Sequence, residues 1–215
     1  MKPIYLILEA PESGISQCAS RFWGNPDLPE NTPYPMYIDD EGDEFPYWFI
    51  CQINLEELAS YDPDNLLPHK GLLSFFAKID RYMDSFAATD CISGYVSGAD
   101  AVRVLYFPAL DNMREVVLVD DDDNPVTPSE LSIRFSTNNV ENGDEHELFA
   151  PPTHREWENW DSPFEDRIIL LQIDSFSGED FELNFMDCGV LDLLISREDL
   201  KKRDFSDVRG IVLST

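Results

Sequence analysis

The apolar positions of this chain concentrate between Trp48 and Asp80. The stretch opens W-F-I-C-Q-I-N-L-E-E-L, crosses an acidic loop holding Pro63 and Pro68, and resumes as K-G-L-L-S-F-F-A-K-I-D. Period-two alternation predicts a strand with Phe49, Cys51, Ile53 and Leu55 on one face and Trp48, Ile50, Gln52 and Asn54 on the other. The second face turns from apolar to polar along its length, so the strand is expected to be buried on both sides at its start. Asn54-Leu55-Glu56-Glu57 then predicts a helix N-terminus, with Asn54 as cap and Glu57 at the capping-box position. Pro63 and Pro68 keep that helix short. Leu72 to Ile79 reads as a second strand.

The same order returns near the C-terminus. R-I-I-L-L-Q-I-D is followed by an acidic loop and then by C-G-V-L-D-L-L-I. Leu170, Gln172 and Asp174 match Ile50, Gln52 and Asn54 in order, and Gly189 matches Gly71. Blocks 48–80 and 168–195 are therefore read as a pseudo-repeat within a single domain spanning 1–215. Ser196-Arg197-Glu198-Asp199 is a capping-box signature, and Lys201, Lys202 and Arg203 suit the negative end of the helix that follows. Val208 to Leu213 closes the chain as a strand.

Elsewhere the pattern is β-rich. Residues 4–8 form a short strand or the start of a helix. Pro11 to Arg21 is read as a helix ending near Gly24. Four prolines between Trp23 and Pro35 predict a coil outside any ladder, packed on the surface of the fold. Met36-Tyr37-Ile38 and Phe45 flank D-D-E-G-D-E, a hairpin turning at Gly42. Val102–Phe107, 115–119 and 131–135 carry strand residues, the last with Ile133 and Phe135 inward. Residues 137–147 are read as a loop and 154–160 as a turn or two of helix. The fold class expected is α+β but mainly β: a roll-like sheet core with internal duplication and a few short helices.

Composition adds a strong electrostatic constraint. The chain has 215 residues, with 15 Lys and Arg against 43 Asp and Glu, a formal charge of −28. A field of that sign repels nucleic-acid phosphates and anionic membranes and favours a basic protein as partner. Five apolar residues, Ile4 to Leu8, precede Glu9, too few for a signal-peptide core, and no run is long enough to span a membrane. A cytoplasmic protein is expected. Cys18, Cys51, Cys91 and Cys188 are widely spaced and read as reduced, mostly buried thiols.

Residue patterns that carry chemistry are few. His69, His146 and His154 have no cysteine at ligand spacing, and His146-Glu147 lacks the second histidine of a zincin helix. No metal or cofactor is expected, and no catalytic residue is assigned. Asp120, Asp122 and Asn124 sit at positions one, three and five of a calcium loop, but Pro125 and Leu131 occupy the positions that require Gly and an acidic ligand. Asp120, Asp121, Asp122 and Asp123 are read instead as a solvated turn, and as a candidate contact for a basic partner. Gln52, Asn54, Gln172 and Asp174 are candidate ligand contacts in a pocket between the repeated halves, with bonding to backbone at strand ends as the alternative. The aromatics Phe22, Trp23, Tyr34, Tyr37, Tyr47 and Trp48 either line a site or anchor the Pro-rich coil; the second reading is preferred.

Several blocks together resemble a known family. S-R-F-W-G-N-P-D-L-P at 20–29, Y-P at 34–35, F-I-C-Q-I-N-L-E-E-L and K-G-L-L-S-F-F, then L-L-Q-I-D, C-G-V-L and S-R-E-D-L-K-K-R-D-F-S, are similar to the YwqG-like family of uncharacterised, mostly bacterial proteins. The resemblance implies one mainly-β roll with internal duplication, no established activity and no catalytic residues to carry over. It also implies a role for such members as immunity proteins that neutralise basic toxins. Trp23, Asn25 and Asp192 depart from the family pattern, as does the R-E-W-E-N-W that follows His154.

Overall fold

A computed structural model of the chain describes residues 1–79, 91–120, 122–138, 145–152, 164–185 and 188–214. The first half of the chain contributes β1 (Ile4–Glu9), β2 (Arg21–Phe22), β3 (Asp27–Pro29), β4 (Met36–Ile38), β5 (Glu44–Pro46), β6 (Trp48–Asn54), helix α1 (Leu55–Leu58), β7 (Leu72–Ala77), β8 (Val102–Phe107) and β9 (Met113–Glu115). The second half contributes β10 (Leu131–Ser136), β11 (Glu147–Leu148), β12 (Arg167–Asp174), β13 (Phe176–Ser177), β14 (Glu182–Leu183), β15 (Val190–Ser196), helix α2 (Arg197–Lys202) and β16 (Arg209–Leu213). The expected mainly-β fold with short helices is what the chain forms, as a large, nearly closed, barrel-like sheet.

Ten strands make that sheet, in the order β16-β15-β12-β11-β1-β10-β2-β6-β7-β8. The order is symmetric about its centre. Each half contributes five strands that correspond in sequence order: β1 with β10, β2 with β11, β6 with β12, β7 with β15 and β8 with β16. β1 and β10 pair antiparallel in the middle, Tyr5 opposite Ser136 and Glu9 opposite Ser132. Each then pairs with the second strand of the other half, β1 with β11 and β10 with β2. The halves have exchanged their first strands, so neither sheet is complete without the other.

The correspondence between the halves extends to local irregularities. A bulge interrupts β6 between Phe49 and Cys51, and another interrupts β12 between Ile169 and Leu171. The extra residue rephases the alternation. Phe49 therefore leaves the face assigned to it by strict alternation and joins Leu28, Tyr47 and Phe76, while Ile50, Cys51 and Ile53 share the main core. Ile169 likewise packs with Val190, Leu194 and Ile211, while Leu170, Leu171 and Ile173 enter the main core. Gly71 and Gly189 sit where a side chain has no room: a Cβ would lie 2.2 Å from the Phe107 carbonyl oxygen in one half and 2.1 Å from that of Leu213 in the other. Their carbonyls accept from Leu55 N and Ser175 N.

Local expectations are corrected in four places. Residues 11–20 form turns, not a helix, because Ile15 N and Cys18 N bond the Glu130 and Asp27 carboxylates instead of a helical ladder. The Pro-rich segment is not wholly outside ladders: Asp27–Pro29 pairs with Met113–Glu115, and Trp23 and Leu28 are core residues. The strand expected over 115–119 is shifted back to β9. Residues 146–148 are likewise not loop, since His146 is buried and Glu147–Leu148 bridges β1 to β12. The helix expected over 154–160 lies outside the described residues. Tyr34 and Tyr37 do anchor the coil. The Tyr34 hydroxyl donates to the Tyr47 carbonyl at 2.8 Å, and Tyr37 stacks edge-on against Tyr47. Cys18 and Cys51 are buried free thiols, whereas Cys188 is exposed.

Candidate functional site

Gln52 and Gln172 hold equivalent places. Gln52 lies opposite Arg21 in the β6–β2 pair, and Gln172 opposite Glu147 in the β12–β11 pair. The Gln52 amide donates to the Ala19 carbonyl at 2.9 Å, and that of Gln172 to the Glu145 carbonyl at 3.1 Å. One step on, Asn54 N donates to the Ser20 hydroxyl at 2.9 Å and Asp174 N to His146 Nδ1 at 3.1 Å. The Asn54 side chain caps α1 through Glu56 N and also reaches the Cys18 carbonyl, while the Asp174 carboxylate accepts from Glu145 N. All four candidate ligand contacts thus tie strand ends to neighbouring backbone. Glu57, expected to complete the capping box, accepts from Ser20 N instead.

Side chains that carry charge differ between the two frames. In the first half, Arg21 Nη2 meets Asp27 Oδ2 at 2.6 Å and Nη1 meets Glu130 Oε2 at 3.1 Å. Asp27 Oδ2 also accepts from Cys18 N and the Gln52 amide, and Gln52 Oε1 accepts from Asp27 N. Arg21, Asp27 and Gln52 are all buried. In the second half the place of Arg21 belongs to Glu147, which is buried and whose Oε2 has no hydrogen-bond partner among the described residues. Burial, then the Glu145 charge, pushes its carboxyl up to about 7. His146 accepts at Nδ1, so its proton sits on Nε2, and burial pushes its pKa down to about 4. Neither residue lines the main cleft.

That cleft, of about 960 Å³, runs between the halves. Its walls include Leu8, Arg21 and Asn25 from the first half and Glu130, Phe176 and Phe181 from the second. The β13–β14 hairpin leans over it, fastened where Asp180 accepts from the Ser129 amide and hydroxyl. None of Gln52, Asn54, Gln172 or Asp174 lines it. Asn25 does, bonded to Glu115 and Thr127.

Acidic loops form the most distinctive part of the surface. In the turn at 120–123, Asp120 Oδ1 accepts from Asp122 N and Asn124 N, which leaves Asp122 and Asp123 in solvent; Asp121 lies outside the described residues. Exposed Val117, Val119 and Val126 flank it. The β4–β5 hairpin repeats the combination, with exposed Asp40, Glu41, Asp43 and Glu44 beside exposed Met36, Ile38 and Phe45. Several of the described cations are held by this chain's own acids: Arg21, Lys78, Arg134, Arg167, Lys202 and Arg209 each sit on a carboxylate. Among the described residues no group of three His, Cys, Asp or Glu side chains is arranged to hold a metal. Among the described residues no helix is long and apolar enough to cross a membrane.

The chain belongs to a family defined as a domain of unknown function (DUF1963), whose model matches residues 20–212. No curated protein matches it with significance.

Proposed function

We propose that this chain is a non-enzymatic binding protein that uses an acidic, apolar-studded surface to hold a basic protein. One observation carries the reading: the exposed carboxylates of Asp40, Glu41, Asp43, Glu44, Asp122 and Asp123 meet no cation among the described residues and lie beside exposed apolar side chains. With 43 carboxylates against 15 cations, a formal charge of −28 remains even if every cation is paired. Exposed Val, Ile and Phe side chains on the same loops supply the apolar contacts that a charged surface alone lacks. Long-range attraction of that kind speeds encounter with a basic partner and weakens as salt rises. Neutralisation of a basic toxin in the cytoplasm, as the YwqG-like resemblance implies, is the finer form of the same reading.

The test is capture on the immobilised chain at about 0.15 M salt, followed by reconstitution of the purified pair. The expected result is one basic protein, bound at fixed stoichiometry and released by high salt. Equal capture of lysozyme and other unrelated basic proteins would leave the charge as a solubility device and sink the proposal.

The second reading is a small cationic ligand in the cleft between the halves, favoured by the carboxylates of Glu115, Glu130, Glu179 and Asp180 around its mouth and by the rings of Phe176 and Phe181 in its wall. Calorimetric titration with diamines and basic amino acids tests it, and a flat titration removes it.

A further inference from the structure

We infer that the notch between the β4–β5 hairpin and residues 91–100 is where a basic protein docks, through a Lys or Arg side chain carried next to an apolar one. This rests on the binding role proposed above and gives it a location. The notch, of about 340 Å³, is bounded by Ile38, Asp39 and Asp40 on the hairpin and by Tyr95, Val96 and Asp100 on the facing segment. Ile38 is 68% exposed, Tyr95 76% and Val96 36%, an unusual apolar cluster for a chain this charged. Apolar groups rimmed by polar ones mark contact surfaces, and tyrosine is among the residues that dominate binding energy when covered.

Charge complementarity selects the occupant. Asp39, Asp40 and Asp100 surround the notch, and the cation within it, Lys78, is only 8% exposed. Lys78 Nζ contacts Asp100 at 2.9 Å and lies 4.5 Å from the centre of the Tyr37 ring. The floor of the notch therefore already accommodates one ammonium by carboxylate and aromatic contact. Among the described residues its mouth keeps the same chemistry without a cation: Asp40 is exposed, and Asp39 uses Oδ1 to hold its turn through Glu41 N and Asp43 N. The turn is fixed before any partner arrives, which reduces the ordering that binding requires. On the far side, Ser97 N donates to the Gly210 carbonyl and Val212 N to the Ser93 carbonyl, so Tyr95 and Val96 project from a segment fastened to β16.

Three short peptides test the location by amide chemical-shift mapping of the full chain: one with a phenylalanine flanked by arginine and lysine, one with serine replacing the phenylalanine, and one with glutamates replacing the cations. The first peptide is expected to shift residues 38–40 and 92–100 saturably, and the others to bind at least about tenfold more weakly. The same loss is expected for the first peptide on Asp40→Lys and on Tyr95→Ser, both exposed positions whose change leaves the circular dichroism intact. Shifts confined to 119–126, with loss on Asp122→Lys/Asp123→Lys alone, overturn the notch while leaving a basic partner in place. No saturable shift with any peptide also overturns the notch; the broader reading is decided separately, by salt-dependent capture of the whole partner.

Discussion

Trp23 and Phe149 hold the same post in the two halves of the sheet. Both adopt left-handed backbone, with φ of 56° and 58°, and each follows the two-residue strand of its half. The Trp23 amide donates to the Ile50 carbonyl at 2.9 Å, and the Phe149 amide to that of Leu170 at 3.2 Å. Ile50 and Leu170 are the bulge residues of β6 and β12. The left-handed turn and the bulge thus form one unit, made twice: the bulge aims a carbonyl out of the ladder, and the turn supplies the donor that satisfies it.

This unit predicts matched losses on truncation. Both side chains are buried, Trp23 edge-on to Phe22, Trp48 and Phe181. Trp23→Ala and Phe149→Ala should each cost about 3–5 kcal/mol in urea unfolding, from lost burial plus the cavity left behind. If Phe149→Ala costs less than about 1 kcal/mol while Trp23→Ala costs the full amount, the two posts are not equivalent supports.

Gly71 and Gly189 make a second matched pair. A Cβ at either would run into a strand carbonyl of the same half, Phe107 or Leu213. Backbone cannot move aside as a flexible side chain does, so Gly71→Ala and Gly189→Ala should each destabilise by about 1–3 kcal/mol or more. At Gly14 nothing lies within 4 Å, and Gly14→Ala serves as the neutral control. Thermal melts of the three variants decide the matter, and equal melting temperatures would refute it.

Arg21 joins the halves through charge. It bridges Asp27 of its own half to Glu130, which immediately precedes β10. A buried ion pair is not in itself a large source of stability, but removing one partner strands the other. Arg21→Met should therefore cost about 3–5 kcal/mol, and adding Asp27→Asn to it should recover part of that loss. A double variant less stable than the sum of both single ones would show that the pair does not act as a unit.

How far the sequence revealed this arrangement depended on the kind of residue involved. Gln-Ile-Asn and Gln-Ile-Asp, with the glycines that follow, disclosed the repeat because polar residues at strand ends and glycines under a carbonyl tolerate few substitutes. The first strands and the Ser20/His146, Arg21/Glu147 and Trp23/Phe149 correspondences left no such trace. Their equivalence lies in backbone bonds, and S-R-F-W and H-E-L-F satisfy the same bonds with unlike side chains. The bulges did leave a signal, in the unbroken apolar runs W-F-I-C and I-I-L-L, which strict alternation overrode. The polar neighbours of His146 predict a loop, and only the pairing of β11 between two other strands accounts for its burial. The acidic loops were legible as loops; the apolar side chains beside them became informative only once exposure was known.

Glu147 and His146 predict opposing dependences on pH. Glu147 is raised from about 4.5 to about 7 by burial and by Glu145. The stability it confers is complete below pH 4.5 and is lost as pH rises through 7, because the unfolded chain releases that proton first. His146 is lowered from 6.5 to about 4 by burial. Its contribution is complete above pH 6.5 and is lost as pH falls through 4. Between these limits the two effects offset each other, so the pair keeps the β1–β11–β12 junction nearly indifferent to pH where either group alone would not. Tyr5, opposite Glu147 on β1, faces the same carboxylate, and burial and then Glu147 raise its own pKa. Replacing Glu147 by Gln removes one side of the balance. Relative to the unaltered protein, Glu147→Gln should gain stability progressively from pH 4.5 to 7, by about 2–3 kcal/mol in all. Urea unfolding of both proteins at pH 5 and pH 8 measures that difference directly, and the other carboxylates cancel in the comparison. A difference of the same size at both pH values would mean that Glu147 ionises in the folded protein as freely as it does in the unfolded chain.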